Sequence, residues 1–161
     1  MYKRQKEYYD DGLDELVFYD ITASSDEREI MLDVVEKVAA QVYIPFSVGG
    51  GIRSVEDANK LLRAGAEKIN VNSAAVQRPE LISECALAIG TQNTVLSMDI
   101  LKVKESRDFP SGYEILIDGG RKRASIDALE WALRGEELGA GELVINSIDA
   151  CLLYTSDAAD D

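Results

Sequence analysis

Residues 46–54 read FSVGGGIRS. An apolar run, three consecutive glycines and a serine that opens a helical pattern follow one another directly, which is the order strand, turn, helix. Glycine loses more conformational freedom on folding than any other residue, so a run of three is disfavoured unless the backbone must go where a Cβ cannot. The stretch reads as one βα unit with something brought very close to its turn.

Working outward, the same unit recurs. Leu16 to Tyr19 (LVFY), Tyr43 to Val48 (YIPFSV), Lys68 to Val71 (KINV), Thr94 to Met98 (TVLSM) and Leu143 to Ile145 (LVI) are short runs rich in β-branched and aromatic residues. They read as strands buried on both faces. Between them, Ile30, Met31, Val34, Val35 and Val38, and again Leu81, Ile82, Cys85, Leu87 and Ile89, fall at the three-and-four spacing of amphipathic helices. Ser24 with Glu27 and Ser54 with Asp57 resemble capping boxes, Pro79 fits a first helical position, and Gly65, Gly90 and Gly139 fit helix stops. The first eleven residues read as a helix ahead of the first strand. Strand–helix alternation at a period of roughly two dozen residues predicts successive βαβ units around a parallel sheet.

One interval is longer. After Ile100 the segment LKVKESRDFPSGYEILIDGGRK, ending at Lys122, alternates polar and apolar around a Pro-Ser-Gly turn and reads as a β-hairpin inserted after a sheet strand, on the rim. The expected architecture is α/β, with about five parallel strands and that hairpin. The end, CLLYTSDAADD, has neither periodicity nor a cap. Residues 1–149 are expected to form the domain, and 150–161 a foreign tail without fixed structure.

The chain has 161 residues, 46% hydrophobic and 29% charged, the profile of an ordinary globular protein. A formal net charge of −13 means that nucleic acid or an anionic membrane would be bound against the overall field, so neither is expected as a partner. With no histidine, acid–base work falls to carboxylates, lysine, tyrosine, cysteine or water. Cys85 and Cys151 are too few and too far apart for a disulfide framework or a zinc cluster, Cys85 reads as helix packing, and a reducing cytoplasmic setting is expected. No apolar segment approaches bilayer-spanning length, and the start, MYKRQKEYYDDG, is unlike a signal peptide. Neither a metal nor a cofactor is expected.

In parallel α/β architectures chemistry gathers at the carboxyl ends of the strands. The exits here are Asp20-Ile21-Thr22-Ala23-Ser24-Ser25, Gly49-Gly50-Gly51, Asn72-Ser73-Ala74-Ala75, Asp99, and Asn146-Ser147-Ile148-Asp149. Each has a plain explanation: a strand stop, a cap, a turn, a tight corner. Asp99 resists one, because an acid directly after Val95-Leu96-Ser97-Met98 must be paired, solvated in a cleft or shifted in pKa. Taken together the exits point to function. Exposed amides of the glycine run leading to a helix make an anion site that a phosphate can approach, with Asn72 and Ser73 as side-chain donors beside it. The spacing matches no Walker loop or dinucleotide fingerprint, so a phosphorylated metabolite fits better than a nucleotide.

DITAS at 20–24, VGGGIRS at 48–54, KINVNSAAV at 68–76, GTQ at 90–92, MD at 98–99 and GAGELVINSID at 139–149 resemble the cyclase-subunit family of imidazole glycerol phosphate synthase, from histidine biosynthesis. VGGGIR also occurs in the related isomerase of that pathway, which is the alternative, but DITAS with KINVNSAAV favours the cyclase. The resemblance runs from about Tyr8 to Asp149 and implies part of a (β/α)₈ TIM barrel, truncated at both ends. It implies a cytoplasmic lyase that takes ammonia from a glutaminase partner subunit. The ammonia converts a phosphoribulosyl formimino aminoimidazole carboxamide ribotide to imidazole glycerol phosphate and aminoimidazole carboxamide ribotide.

By the same resemblance Asp99 is a catalytic acid–base, its family partner after strand one having no counterpart here. Asp20 lies at the active-site mouth, Gly50, Gly51, Asn72 and Ser73 hold one phosphate of the substrate, and Gln92 lies near the substrate. Ser73 replaces a threonine but keeps its hydroxyl. Glu15, Lys68 and Glu142 ring the ammonia entrance at the other end, where ordinary solvated strand-start charges are the plain alternative. The family follows strand six with Asp, any residue, Asp, Gly and Thr, whereas here Asp149 is followed by Ala150 and Cys151, so the second aspartate and the glycine are absent, and strands seven and eight are missing. The chain alone is therefore expected to lack turnover, and a non-catalytic phosphate-binding half-barrel or a pure interaction fragment stand as further readings.

Overall fold

A computed structural model describes residues 12–20 and 32–149. The expectations for the helix before the first strand, for the Ser24–Glu27 cap and for the tail fall outside these residues.

In chain order the elements are β1 (Leu16–Tyr19), α1 (Leu32–Ala39), β2 (Phe46–Gly49), α2 (Val55–Arg63), β3 (Lys68–Val71), α3 (Ser73–Gln77), α4 (Glu80–Ile89), a 3₁₀ turn (Thr91–Asn93), β4 (Thr94–Lys102), β5 (Tyr113–Ile117), β6 (Lys122–Asp127), α5 (Ala128–Leu138) and β7 (Glu142–Ser147). Five strands are parallel, in the order β1-β2-β3-β4-β7, and β5 and β6 are antiparallel additions to β4. The α/β class and the five-plus-hairpin count hold.

The insertion is richer than the sequence reading. Its first arm is the outer end of β4 itself, with Asp99 to Lys102 pairing Leu116 to Tyr113, and a second turn at 118–121 leads into β6, which was not foreseen. β4 thus has β7 along one edge, from Val95 to Ile100, and β3 followed by β5 along the other. β3 stops at Val71, and β5 takes the edge it vacates.

Register sorts the side chains onto two faces, because paired residues of neighbouring parallel strands point the same way. Leu16, Phe18, Phe46, Val48, Ile69, Val71, Leu96 and Met98 share the face that packs against the helices, with Val34, Val35 and Val38 of α1, Ala58 and Leu61 of α2, and Leu81, Ile82 and Cys85 of α4. The opposite face carries Val17, Tyr19, Ser47, Lys68, Asn70, Val95, Ser97, Asp99, Glu142, Val144 and Asn146. Lys68 lies within 3.0 Å of Glu15 before β1 and 2.7 Å of Glu142 on β7. In a flat sheet those strands would stand about 19 Å apart, four spacings of about 4.8 Å. One lysine reaches both because the sheet curls, with its polar face inside, as in part of a barrel.

The Ser54 hydroxyl accepts from Asp57 N–H at 3.2 Å, and Asp57 reaches back to Arg53 N–H, so the foreseen cap exists with its return bond one residue early. Pro79 stands just before α4 rather than inside it, and Leu87, expected in the core, is 89% exposed because it falls on the solvent side of α4. The second strand begins at Phe46, not Tyr43, whose side chain is exposed.

Candidate active site

The carboxyl ends of the strands open on a cavity of about 920 Å³ lined by Asp20, Gly50, Gly51, Asn72, Ser73 and Asp99, all singled out from the sequence, and also by Tyr19, Asn70, Ser97, Asn146 and the 118–121 turn. Strand parity places Tyr19, Asn70, Ser97, Asp99 and Asn146 on the inner face, whereas Asp20, Gly50, Gly51 and Ser73 reach the cavity from the loops that leave the strands. Asp99 lies on the inner face of β4, where its two oxygens accept from different elements: Asn72 Nδ2 to Oδ2 and Asn146 Nδ2 to Oδ1, both at 3.0 Å. Neutral amide donors on each side fix the carboxylate's direction without supplying a neutralising charge, an arrangement suited to a group that exchanges protons with a ligand.

Asn72 precedes α3 but spends its amide on Asp99 instead of capping that helix. Among the described residues its own Oδ1, and Oδ1 of Asn70, are buried with no hydrogen-bond partner. Unsatisfied buried acceptors are costly, so donors on a ligand or water are the natural complement.

The glycine run answers the question raised by its sequence. Gly50 and Gly51 have φ of 99° and 73°, and a Cβ on Gly50 would sit 2.2 Å from the carbonyl oxygen of Asp20. Asp20 N–H donates to Gly49 O at 2.9 Å, so β1 and β2 exit side by side and only glycine lets the second pass the first. What comes close to this backbone is, first of all, the neighbouring strand exit.

Polar groups of the inner face pair with one another within the cavity wall. Tyr19 Oη and Ser97 Oγ are 3.1 Å apart across the curl, and Asn70 Nδ2 donates to Ser47 Oγ at 3.3 Å. Burial raises the Tyr19 pKa; the Ser97 hydrogen bond works against this, and the Asp99 charge adds to it. On the helix side burial pushes the Cys85 thiol up to about 11, with the Glu84 charge contributing, which makes it a packing group and not a nucleophile. Among the described residues no three of His, Cys, Asp or Glu gather to hold a metal ion, and no helix is long and apolar enough to cross a membrane.

At the amino ends of the strands Lys68 bridges Glu15 and Glu142, and these bonds, Glu142 first, hold its pKa above the ordinary lysine value. Raised folded values stabilise below the unfolded pKa of 10.5 and lose that contribution as pH rises through the folded one. Lys68→Met, which leaves two carboxylates facing each other at a partly exposed site, is expected to cost about 1–2 kcal/mol at pH 7. Urea unfolding of parent and variant should converge in strong alkali; a gap that persists there would assign the effect to packing.

Gln92 is a correction. It lies exposed in the 3₁₀ turn before β4, at the amino ends of the strands, whereas the cavity is at their carboxyl ends; a residue preceding a parallel strand is carried away from that rim. Tyr19, Asn70 and Ser97, and Asn146 as a partner of Asp99, were missed. The available signal on β3 and β4 was alternation, since Asn70 stands two residues before Asn72 and Ser97 two before Asp99; Tyr19 is out of phase with Asp20 and carried no such signal.

Residues 2–150 match the histidine biosynthesis protein family. The chain is 61% identical over 145 residues to the imidazole glycerol phosphate synthase subunit HisF of Desulfovibrio desulfuricans, covering 90% of this chain and 56% of that protein. It is 58% identical over 145 residues to the subunit of the same name from Nitratidesulfovibrio vulgaris, with the same coverages, and 62% identical over 143 residues to that of Desulfatibacillum aliphaticivorans, covering 89% of this chain and 55% of the relative. The chain spans about half the length of the curated relatives it matches.

Proposed function

Because the chain belongs to the histidine biosynthesis protein family, we propose that its cavity binds a phosphorylated ribotide and serves the cyclase reaction of imidazole glycerol phosphate synthase, with ammonia supplied by a glutaminase partner subunit. The observation that carries this reading is the convergence of Asp20, Gly50, Gly51, Asn72, Ser73 and Asp99 on one cavity from four separate βα repeats.

The division of labour follows from chemistry. Gly51 amide, Asn72 and Ser73 are the donors for one phosphate. Asp99, held from both sides by amides, gives and takes the protons of a cyclisation in which nitrogen is added and a ribotide leaves. The orphan acceptors of Asn70 and Asn72 face ligand hydroxyl or N–H groups. Lys68, Glu15 and Glu142 form the opposite mouth of the polar inner face, where a small neutral nucleophile would enter.

Calorimetric titration with the formimino ribotide should give saturable heat, and no heat at millimolar ligand would overturn the reading. In a barrel completed by the strands this chain is expected to lack, and with ammonium salt supplied, Asp99→Asn is expected to lower turnover by about 10²–10⁴-fold.

A further inference from the structure

The turn between β5 and β6 reaches the cavity from outside the βα repeat. Asp118, Gly119 and Gly120 all have positive φ, at 56°, 66° and 77°, and Arg121 N–H closes the turn on Ile117 O at 3.1 Å. The left-handed region disfavours a side chain, so Asp118 keeps this conformation only because its surroundings fix it. Two anchors do so. Asp118 N–H donates to Ser73 Oγ at 2.8 Å, and Gly120 lies against Ile148, whose Cδ1 would be 2.8 Å from a Cβ there. Ser73 follows β3 and Ile148 follows β7, so the inserted hairpin is fastened to two strand exits. Between those anchors Asp118, Gly119 and Arg121 line the cavity.

We propose that this turn is a wall of the phosphate subsite and that Arg121 is the cation that selects a phosphate monoester there over an uncharged sugar; the proposal rests on the phosphate-binding reading above. A dianion entering this cavity meets Asp20, Asp99 and Asp118 in a chain of net charge −13, and glycine amides alone oppose that field weakly. A guanidinium offers phosphate a charged, two-pronged set of donors. Among the described residues Arg53, Arg78 and Arg121 line the cavity. Arg121 stands on the turn that also contacts Ser73. Since the Ser73 oxygen accepts from that turn, its hydroxyl proton remains to be donated into the cavity. One loop therefore aims the hydroxyl and delivers the positive charge.

The test is titration of the full chain with inorganic phosphate, ribose 5-phosphate and ribose, followed by calorimetry and ³¹P line width, for the parent, Arg121→Gln and Arg121→Lys. Arg121→Gln is expected to weaken both phosphates by about tenfold or more while leaving ribose unchanged, and Arg121→Lys to recover part of the loss. Phosphate binding by a folded Arg121→Gln equal to the parent's would overturn the proposal and leave the phosphate-site reading standing. Should the glutamine variant not fold, Arg121→Lys carries the decision, since undiminished affinity there excludes the two-pronged contact. A parent that binds ribose but neither phosphate would overturn the reading itself, and the proposal with it.

Discussion

Gly50→Ala is expected to lower the unfolding free energy by about 3–5 kcal/mol and to remove phosphate binding altogether. Two penalties combine. A φ of 99° lies outside the well that side chains tolerate, a strain of roughly 1–3 kcal/mol. The added Cβ would also stand 2.2 Å from Asp20 O, a backbone atom whose residue is already bonded to Gly49 and which cannot rotate away as a side chain could. Relief requires the β1 and β2 exits to separate, which moves Asp20 and the Gly51 amide together. Few single substitutions reach such magnitudes, and those that do act through a named strain or clash. Urea denaturation and phosphate calorimetry on the same preparation check both parts; a variant within about 0.5 kcal/mol of the parent would show that the two exits are not locked as described.

The second large effect is expected at Asp127, whose carboxylate is 2% exposed and accepts four hydrogen bonds. Oδ1 takes Leu129 N–H at 3.0 Å and Glu130 N–H at 3.2 Å, capping α5, and Oδ2 takes Ser111 N–H at 2.9 Å and Ser111 O–H at 2.7 Å. It therefore joins the helix start to the Pro-Ser-Gly turn at the far end of the β4–β5 hairpin. Burial pushes its pKa up, but the Ser111 bonds and the helix amides outweigh burial and hold it below the ordinary value. Asp127→Ala removes a cap and strands the Ser111 donors, for an expected loss of about 2–4 kcal/mol at pH 7. The sign with pH is fixed: a depressed folded pKa stabilises above the unfolded value of about 3.9 and loses that contribution as pH falls through the folded one. Parent and variant should therefore converge in unfolding midpoint below about pH 4, and an equal gap at neutral and acid pH would place the effect in cavity formation.

How far the sequence carried can be seen residue by residue. Leu16 to Tyr19 and Lys68 to Val71 were legible to their ends because each is a short run that closes on a polar residue, Asp20 or Asn72, and is too brief to show a helical period. Asp20, Gly50, Asn72 and Asp99 were legible as a set because the parallel repeat itself forces strand exits onto one rim. Gln92 misled because its closeness in sequence to β4 says nothing about which end of the strand it serves. β6 was hidden because Lys122 to Asp127 reads KRASID, where the alternation is carried by only two apolar residues, Ala124 and Ile126, amid four polar ones. The 118–121 turn was hidden for a different reason: its partners, Ser73 and Ile148, are distant in the chain, and no local pattern announces a loop that another loop will hold.

Among the described residues β4 alone is hydrogen-bonded to three strands, with both edges taken at Asp99. Freeing it means breaking two ladders at once, so its amides belong among the last to trade their hydrogens with deuterated solvent, near the rate of whole-molecule unfolding. The carboxylate proposed to handle protons is thus mounted on a strand held along both edges, so its direction is fixed by the most strongly paired part of the sheet.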